Sequence, residues 1–247
     1  MSEQKLPMAG HAHGASAPPA PVQISTSTLR MITTLALFGA VAGAAIVVAF
    51  GLTQPRILAH QAERLSSAIT EVLGGAESYK TAFIENGALT WEPQADTAGL
   101  DRVYVGYLAD GQPRGIAIST DAPGFADVVR VIFGYDPATG NLLGMKVLEQ
   151  KETPGLGDKI EKDTLFTRQF IELGTPIVGV KKGRESGAEK EVVMITGVTI
   201  SSRVVVNMIN NRLEAVGEPV KAFWSSGAVG QNAAPPGGGT GQPGGVR

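Results

Sequence analysis

From residue 31 to residue 53 the chain reads MITTLALFGAVAGAAIVVAFGLT, a stretch without a single charge, bounded by Arg30 and Arg56. A helix of that length rises about 34 Å, enough to cross a hydrocarbon core of about 30 Å. The stretch begins too late and runs too long for a cleaved signal peptide, so one transmembrane helix is expected over residues 28–54. Behind it Ile57, Leu58, Leu65, Ala68, Ile69, Val72 and Leu73 recur at helical spacing until Gly74 and Gly75 stop the run, which predicts an amphipathic connector helix within residues 55–79. The period then shortens. Residues 103–109, 114–119, 127–135, 141–149 and 191–195 read as strands, with turn material at 110–111 and 136–141 suited to antiparallel hairpins. Helical spacing returns with Ile200, Val204, Val205, Met208, Ile209, Leu213 and Val216, and Gly217 and Pro219 are expected to end that helix. The pattern predicts an α+β fold: a single N-terminal transmembrane helix, then a domain over residues 80–224 with an antiparallel sheet and flanking helices. Residues 1–27 and 225–247, rich in Gly, Pro, Ala, Ser and Gln, read as a disordered arm and a flexible tail.

Composition narrows the chemistry. Twenty-one Lys and Arg against 23 Asp and Glu leave a formal net charge of −2, so no basic field is present to hold a nucleic-acid backbone. The chain has no cysteine, which excludes disulfides, thiol nucleophiles and cysteine-ligated metal clusters. His11 and His13 stand two apart in the arm, too few ligands for a metal site. No histidine or paired carboxylate is placed for acid–base work, so no catalytic residue is expected. The positive charges flanking the apolar helix, Arg30 on one side and Arg56 and Arg64 on the other, lean weakly against a cytoplasmic N-terminus.

Two segments carry candidate chemistry. Glu152-Thr153-Pro154-Gly155-Leu156-Gly157-Asp158-Lys159-Ile160 follows a strand directly, and its glycines would let backbone approach a flat or charged ligand, with Lys159 near to neutralise an anion. It also reads as an ordinary strand-to-helix connection in which Asp158 caps a helix starting at Lys159. Further on, Ile195-Thr196-Gly197-Val198-Thr199-Ile200-Ser201-Ser202-Arg203 places several hydroxyls and free N–H groups at the start of the last helix, where a phosphate is favoured. Thr196 and Thr199 serve equally well as caps. Neither a Walker loop nor a G-x-G-x-x-G fingerprint is present.

The two segments, in this order and about 36 residues apart, together resemble the covalent FMN-binding domain of the RnfG family, the G subunit of Rnf electron-transport complexes. The C subunit of the sodium-pumping NADH:quinone oxidoreductase shares that domain. The resemblance spans roughly residues 30–220 and implies one FMN per chain, joined by a flavin transferase through its phosphate to Thr199 as a phosphothreonyl ester. It implies that Thr196, Gly197, Val198, Glu152, Thr153, Gly155, Leu156 and Lys159 contact the cofactor. Thr199 would then be a tether, while the flavin carries the electrons. It further implies a subunit of a ferredoxin:NAD oxidoreductase coupled to ion translocation, partnered by the complex's other membrane and redox subunits. The flavin domain would lie on the outer, periplasmic face of the inner membrane. Two positions depart from the family pattern: Val198 stands where alanine is usual, and Val193 where an aspartate is usual; whether Glu191, two residues upstream, substitutes for it is left open by the sequence. The quinone-reductase C subunit, a membrane-anchored FMN-binding module without redox role and a structural tether remain the alternative readings.

Overall fold

The computed structural model describes residues 26–231. The arm with His11 and His13, and the tail beyond residue 231, lie outside them. The chain divides into two units, residues 1–54 and 55–247. Helix α1, Thr26–Val72, runs through the apolar stretch and the connector without a break in its assignment. In the first unit its large apolar side chains are exposed: Leu35 is 76% exposed, Phe38 73% and Val47 70%. That is the state of a helix whose partner is lipid, and its length and composition suffice for a span.

The second unit is built on one antiparallel sheet. Its strands are β1 (Ser78–Glu85), β2 (Ala88–Thr90), β3 (Asp101–Tyr107), β4 (Pro113–Pro123), β5 (Val128–Asp136), β6 (Asn141–Glu149) and the two-residue β7 (Leu173–Gly174). They lie in the order β2-β1-β3-β4-β5-β6-β7. Between β6 and β7 the chain makes two single-turn helices, α2 (Lys159–Lys162) and α3 (Thr164–Thr167). A separate parallel pair, β8 (Val178–Lys181) and β9 (Glu191–Met194), precedes the long helix α4 (Thr199–Ser225) and the short α5 (Ala228–Gln231).

Both faces of the sheet are covered, and strand alternation sorts the residues between them. On β5, Val129, Val131, Phe133 and Tyr135 join the main core with Val205, Ile209, Val216 and Val220 of α4, while Ile132 faces the other way. That second face is covered by the end of α1, where Ala68, Ile69, Val72 and Leu73 are buried against Ala117, Ile132 and Leu143. Glycine makes the close approach possible. A methyl group added at Gly134 would collide with the Val72 carbonyl, and one at Gly106 would lie 3.0 Å from the Ala76 Cβ. Lys146 on β6 closes the contact with an ion pair to Glu71.

Several sequence expectations change. Helix α4 runs through Gly217 and Pro219 to Ser225, because Val216, Val220 and Phe223 continue its buried stripe at a spacing of four and three. The sequence from residue 225 is therefore not all tail: α5 docks, with Val229 buried and its carbonyl accepting from the Tyr107 hydroxyl at 3.1 Å. Strand β9 pairs in parallel with β8, outside the antiparallel sheet. Strand β1 begins at Ser78, inside the span expected for the connector, and its SYKTAFIE sequence shows little alternation.

Candidate functional site

Strand β9 hands the chain to α4 through a tight turn at residues 195–198. Gly197 sits at φ +82°, a conformation that favours glycine, and the Val198 N–H donates to the Ile195 carbonyl at 3.0 Å. Buried Ser202 fastens the turn from inside: its hydroxyl donates to the Val198 carbonyl at 2.8 Å and accepts the Ile195 N–H at 3.3 Å. Thr199, half-buried, is the first residue of the helix. Val198 at the N-cap offers no side-chain acceptor, and the first turn holds no acidic residue. A helix of 27 residues thus presents its leading N–H groups and the positive end of its dipole without an internal counter-charge. That suits a phosphate group.

The loop after β6 approaches this helix start. Its turn is closed by the Leu156 N–H donating to the Thr153 carbonyl at 3.1 Å, with Gly155 at φ +77°. Glu152 is 5% exposed and its carboxylate points inward. One oxygen accepts the N–H groups of Phe125 at 2.8 Å and Ala126 at 3.0 Å, in the turn between β4 and β5. The other accepts the Ser201 hydroxyl at 2.7 Å, two residues past Thr199. Burial alone would push the Glu152 carboxyl up, but the donors from Ala126, Ser201 and Phe125 outweigh it and hold it below its ordinary value. Asp158 occupies the N-cap position of α2 but makes no capping bond. Its carboxylate turns instead to the Lys162 ammonium at 2.7 Å, a charged donor stronger than a neutral N–H. That bond, with the Gly155 N–H, lowers the Asp158 carboxyl.

Residues 124–214 match the model of a family described as the FMN-binding domain. The G subunit of the ion-translocating oxidoreductase complex of Vibrio vulnificus is 32% identical over 192 residues, covering 74% of this chain and 86% of the relative. Its counterpart in Pectobacterium atrosepticum is 33% identical, covering 74% and 88%. The chain belongs to the RnfG family, the G subunits of ion-translocating oxidoreductase complexes. A more distant RnfG member, from Methanosarcina acetivorans, is 26% identical and covered over 96% of its length. The fold is also that of the NqrC crystal structure from Shewanella oneidensis, with a TM-score of 0.57 at 17% identity over 66% of this chain and 99% of that one.

Set against the RnfG resemblance, the expected cofactor residues fall into two groups. Thr196, Gly197, Thr153, Gly155, Leu156 and Lys159 are exposed, and Thr199 is half-buried. Glu152 and Val198 turn away from the surface, the first into the hydrogen bonds above and the second, 5% exposed, into the main core. The extra bulk of Val198 over the family's usual alanine is therefore taken up by the core. At Val193 the Gln169 side-chain amide bonds both backbone groups, at 2.7 Å to the N–H and 3.2 Å to the carbonyl. Glu191 does not stand in for the missing aspartate, since its carboxylate is bound by the Ser186 hydroxyl and the N–H groups of Ser186 and Gly187. Ser201 and Ser202 belong to the hydroxyl-rich segment that opens α4, but their inward bonds are not legible there, and Phe125 carries no motif signal at all.

Proposed function

We propose that the chain is the membrane-anchored flavin subunit of an Rnf-type ion-translocating oxidoreductase, with one FMN esterified through its phosphate to the Thr199 hydroxyl. One observation carries the reading: the Glu152–Ser201 bond at 2.7 Å joins the ETPGLG loop to the helix start that bears Thr199. Segments 49 residues apart are thereby held together, which supports a ligand shared between them. The residues fit the group. Free N–H groups at the head of α4 suit a phosphodiester, Thr199 supplies the ester oxygen, and the exposed loop with Gly155 and Leu156 offers a surface for the ring system. The flavin would supply the redox chemistry, taking up electrons from one partner and giving them to another. The protein's own part is to tether, orient and limit solvent access. The other members of the complex would be those partners, a flavin transferase would load the cofactor, and the outer face of the inner membrane would be its location.

The test is flavin fluorescence in a denaturing gel after expression with a flavin transferase. Wild type should give a fluorescent band that Thr199→Ala loses, with the fold of the variant unchanged, since one hydroxyl at a turn is removed. A band of equal intensity in the variant overturns the attachment site. A colourless folded wild type, prepared the same way, would favour a binding or tethering module without redox role.

A further inference from the structure

Among the described residues two carboxylates are buried, Glu152 and Asp158, and Glu152 makes no salt bridge. It is balanced by backbone N–H donors of the β4–β5 turn and by the Ser201 hydroxyl. What those donors share is position, since they belong to the β4–β5 turn and to the head of α4. The fit is tight on both sides: a methyl group at Gly124 would collide with the Glu152 carboxylate, and one at Gly157 would lie 2.6 Å from the Glu152 Cβ. The turn held in this way carries Phe125, whose side chain is 67% exposed. Leu156 in the loop is 53% exposed and Ile200 beside Thr199 is 54% exposed. Three segments joined by one carboxylate thus each present a large apolar side chain to solvent, and one of them starts the helix at Thr199.

We propose that Glu152 is a positioning residue, which latches the β4–β5 turn to the start of α4 and so sets Phe125 as an aromatic wall beside the flavin ring. The proposal rests on the FMN reading above and adds to it. Glu152 does not touch the cofactor; it acts through the turn. Phe125 is the contact residue, outside both motif segments. Rigid placement matters because an aromatic side chain on a mobile turn would shield the ring only part of the time.

The full chain is expressed with a flavin transferase and purified in detergent as wild type, Phe125→Ala, Glu152→Ala, Glu152→Gln and Ser201→Ala. The denaturing gel comes first: a dark wild-type band defeats the FMN reading itself, independently of the latch. With equal covalent flavin in all proteins, the visible circular dichroism of the flavin and the quenching of its emission by neutral acrylamide are compared. Phe125→Ala should lose dichroism and gain quenching with thermal stability unchanged, because the side chain it removes is exposed. Glu152→Ala should do the same, and Ser201→Ala to a lesser extent. Glu152→Gln should rescue, since an amide oxygen still accepts both N–H groups while its NH2 donates to Ser201. Wild-type dichroism and quenching in Phe125→Ala overturns the wall. The same result in folded Glu152→Ala, or a failure of Glu152→Gln to rescue, overturns the latch; if Glu152→Ala does not fold, Ser201→Ala decides.

Discussion

Glu152 makes a prediction about acid. Burial opposes its ionisation, yet the donors around it hold the carboxyl low in the folded chain. A depressed carboxyl stabilises the fold fully above the ordinary carboxylate range, and that contribution disappears as pH falls through the lower folded-state value. Glu152→Gln should therefore cost about 1–2 kcal/mol near neutral pH. The gap to wild type should close on acidification, as denaturant titrations from neutral pH to about pH 3 would record. Other depressed carboxyls, Asp158, Glu185 and Glu191, are common to both proteins and drop out of the difference. A gap that stays constant over that range would mean the charge is not what the donors recognise. The same residue shows what a sequence withholds. The motif around Glu152 is legible, and so is its pairing with Thr199, but not the inward turn of the carboxylate. A motif lists residue types; which way each side chain points is decided by donors contributed from elsewhere, here Phe125, Ala126 and Ser201. Val198, a cofactor neighbour by its place in the motif, lies in the core for a related reason: its surroundings come from other elements.

Helices and strands with a strong period are legible. Residues 141–149 are predicted and found as one strand with the same bounds, and the apolar stripe of α4 begins where expected. The weak elements are not. Strand β7 is two residues long, and β8 is VGVK, so neither holds enough positions to show alternation. Helix α4 outruns Gly217 and Pro219 because local propensity, worth about 1 kcal/mol for glycine and about 3 for proline, competes with buried side chains worth about 1.5–3 kcal/mol each. Val216, Val220 and Phe223 prevail. A substitution pair follows. Gly217 has helical geometry and open space around the place of a Cβ, so Gly217→Ala should stabilise by about 0.5–1 kcal/mol. Gly134→Ala should destabilise by about 1–3 kcal/mol, because its methyl meets the Val72 carbonyl and must push the end of α1 off the sheet. Thermal unfolding of the two variants checks both signs, and a stable Gly134→Ala would show that the α1 end yields easily.

At the scale of the whole chain, the question is which side of the membrane the flavin domain occupies. Arg30 before the apolar stretch and Arg56 and Arg64 after it are too balanced to orient the helix, and the family resemblance alone places the domain outside. The absence of cysteine turns this into a clean experiment, because a single introduced thiol reports without background. Arg184 is suited to it: it lies in the exposed loop between β8 and β9, and its backbone N–H is held by the Lys181 carbonyl whatever the side chain. Arg184→Cys should react with a membrane-impermeant maleimide in intact spheroplasts as fully as after lysis. Labelling only after lysis would place the domain in the cytoplasm. The flavin of the proposed reading would then be loaded, and would exchange electrons, on the inner side, and the expected transferase and partner proteins would have to be sought there.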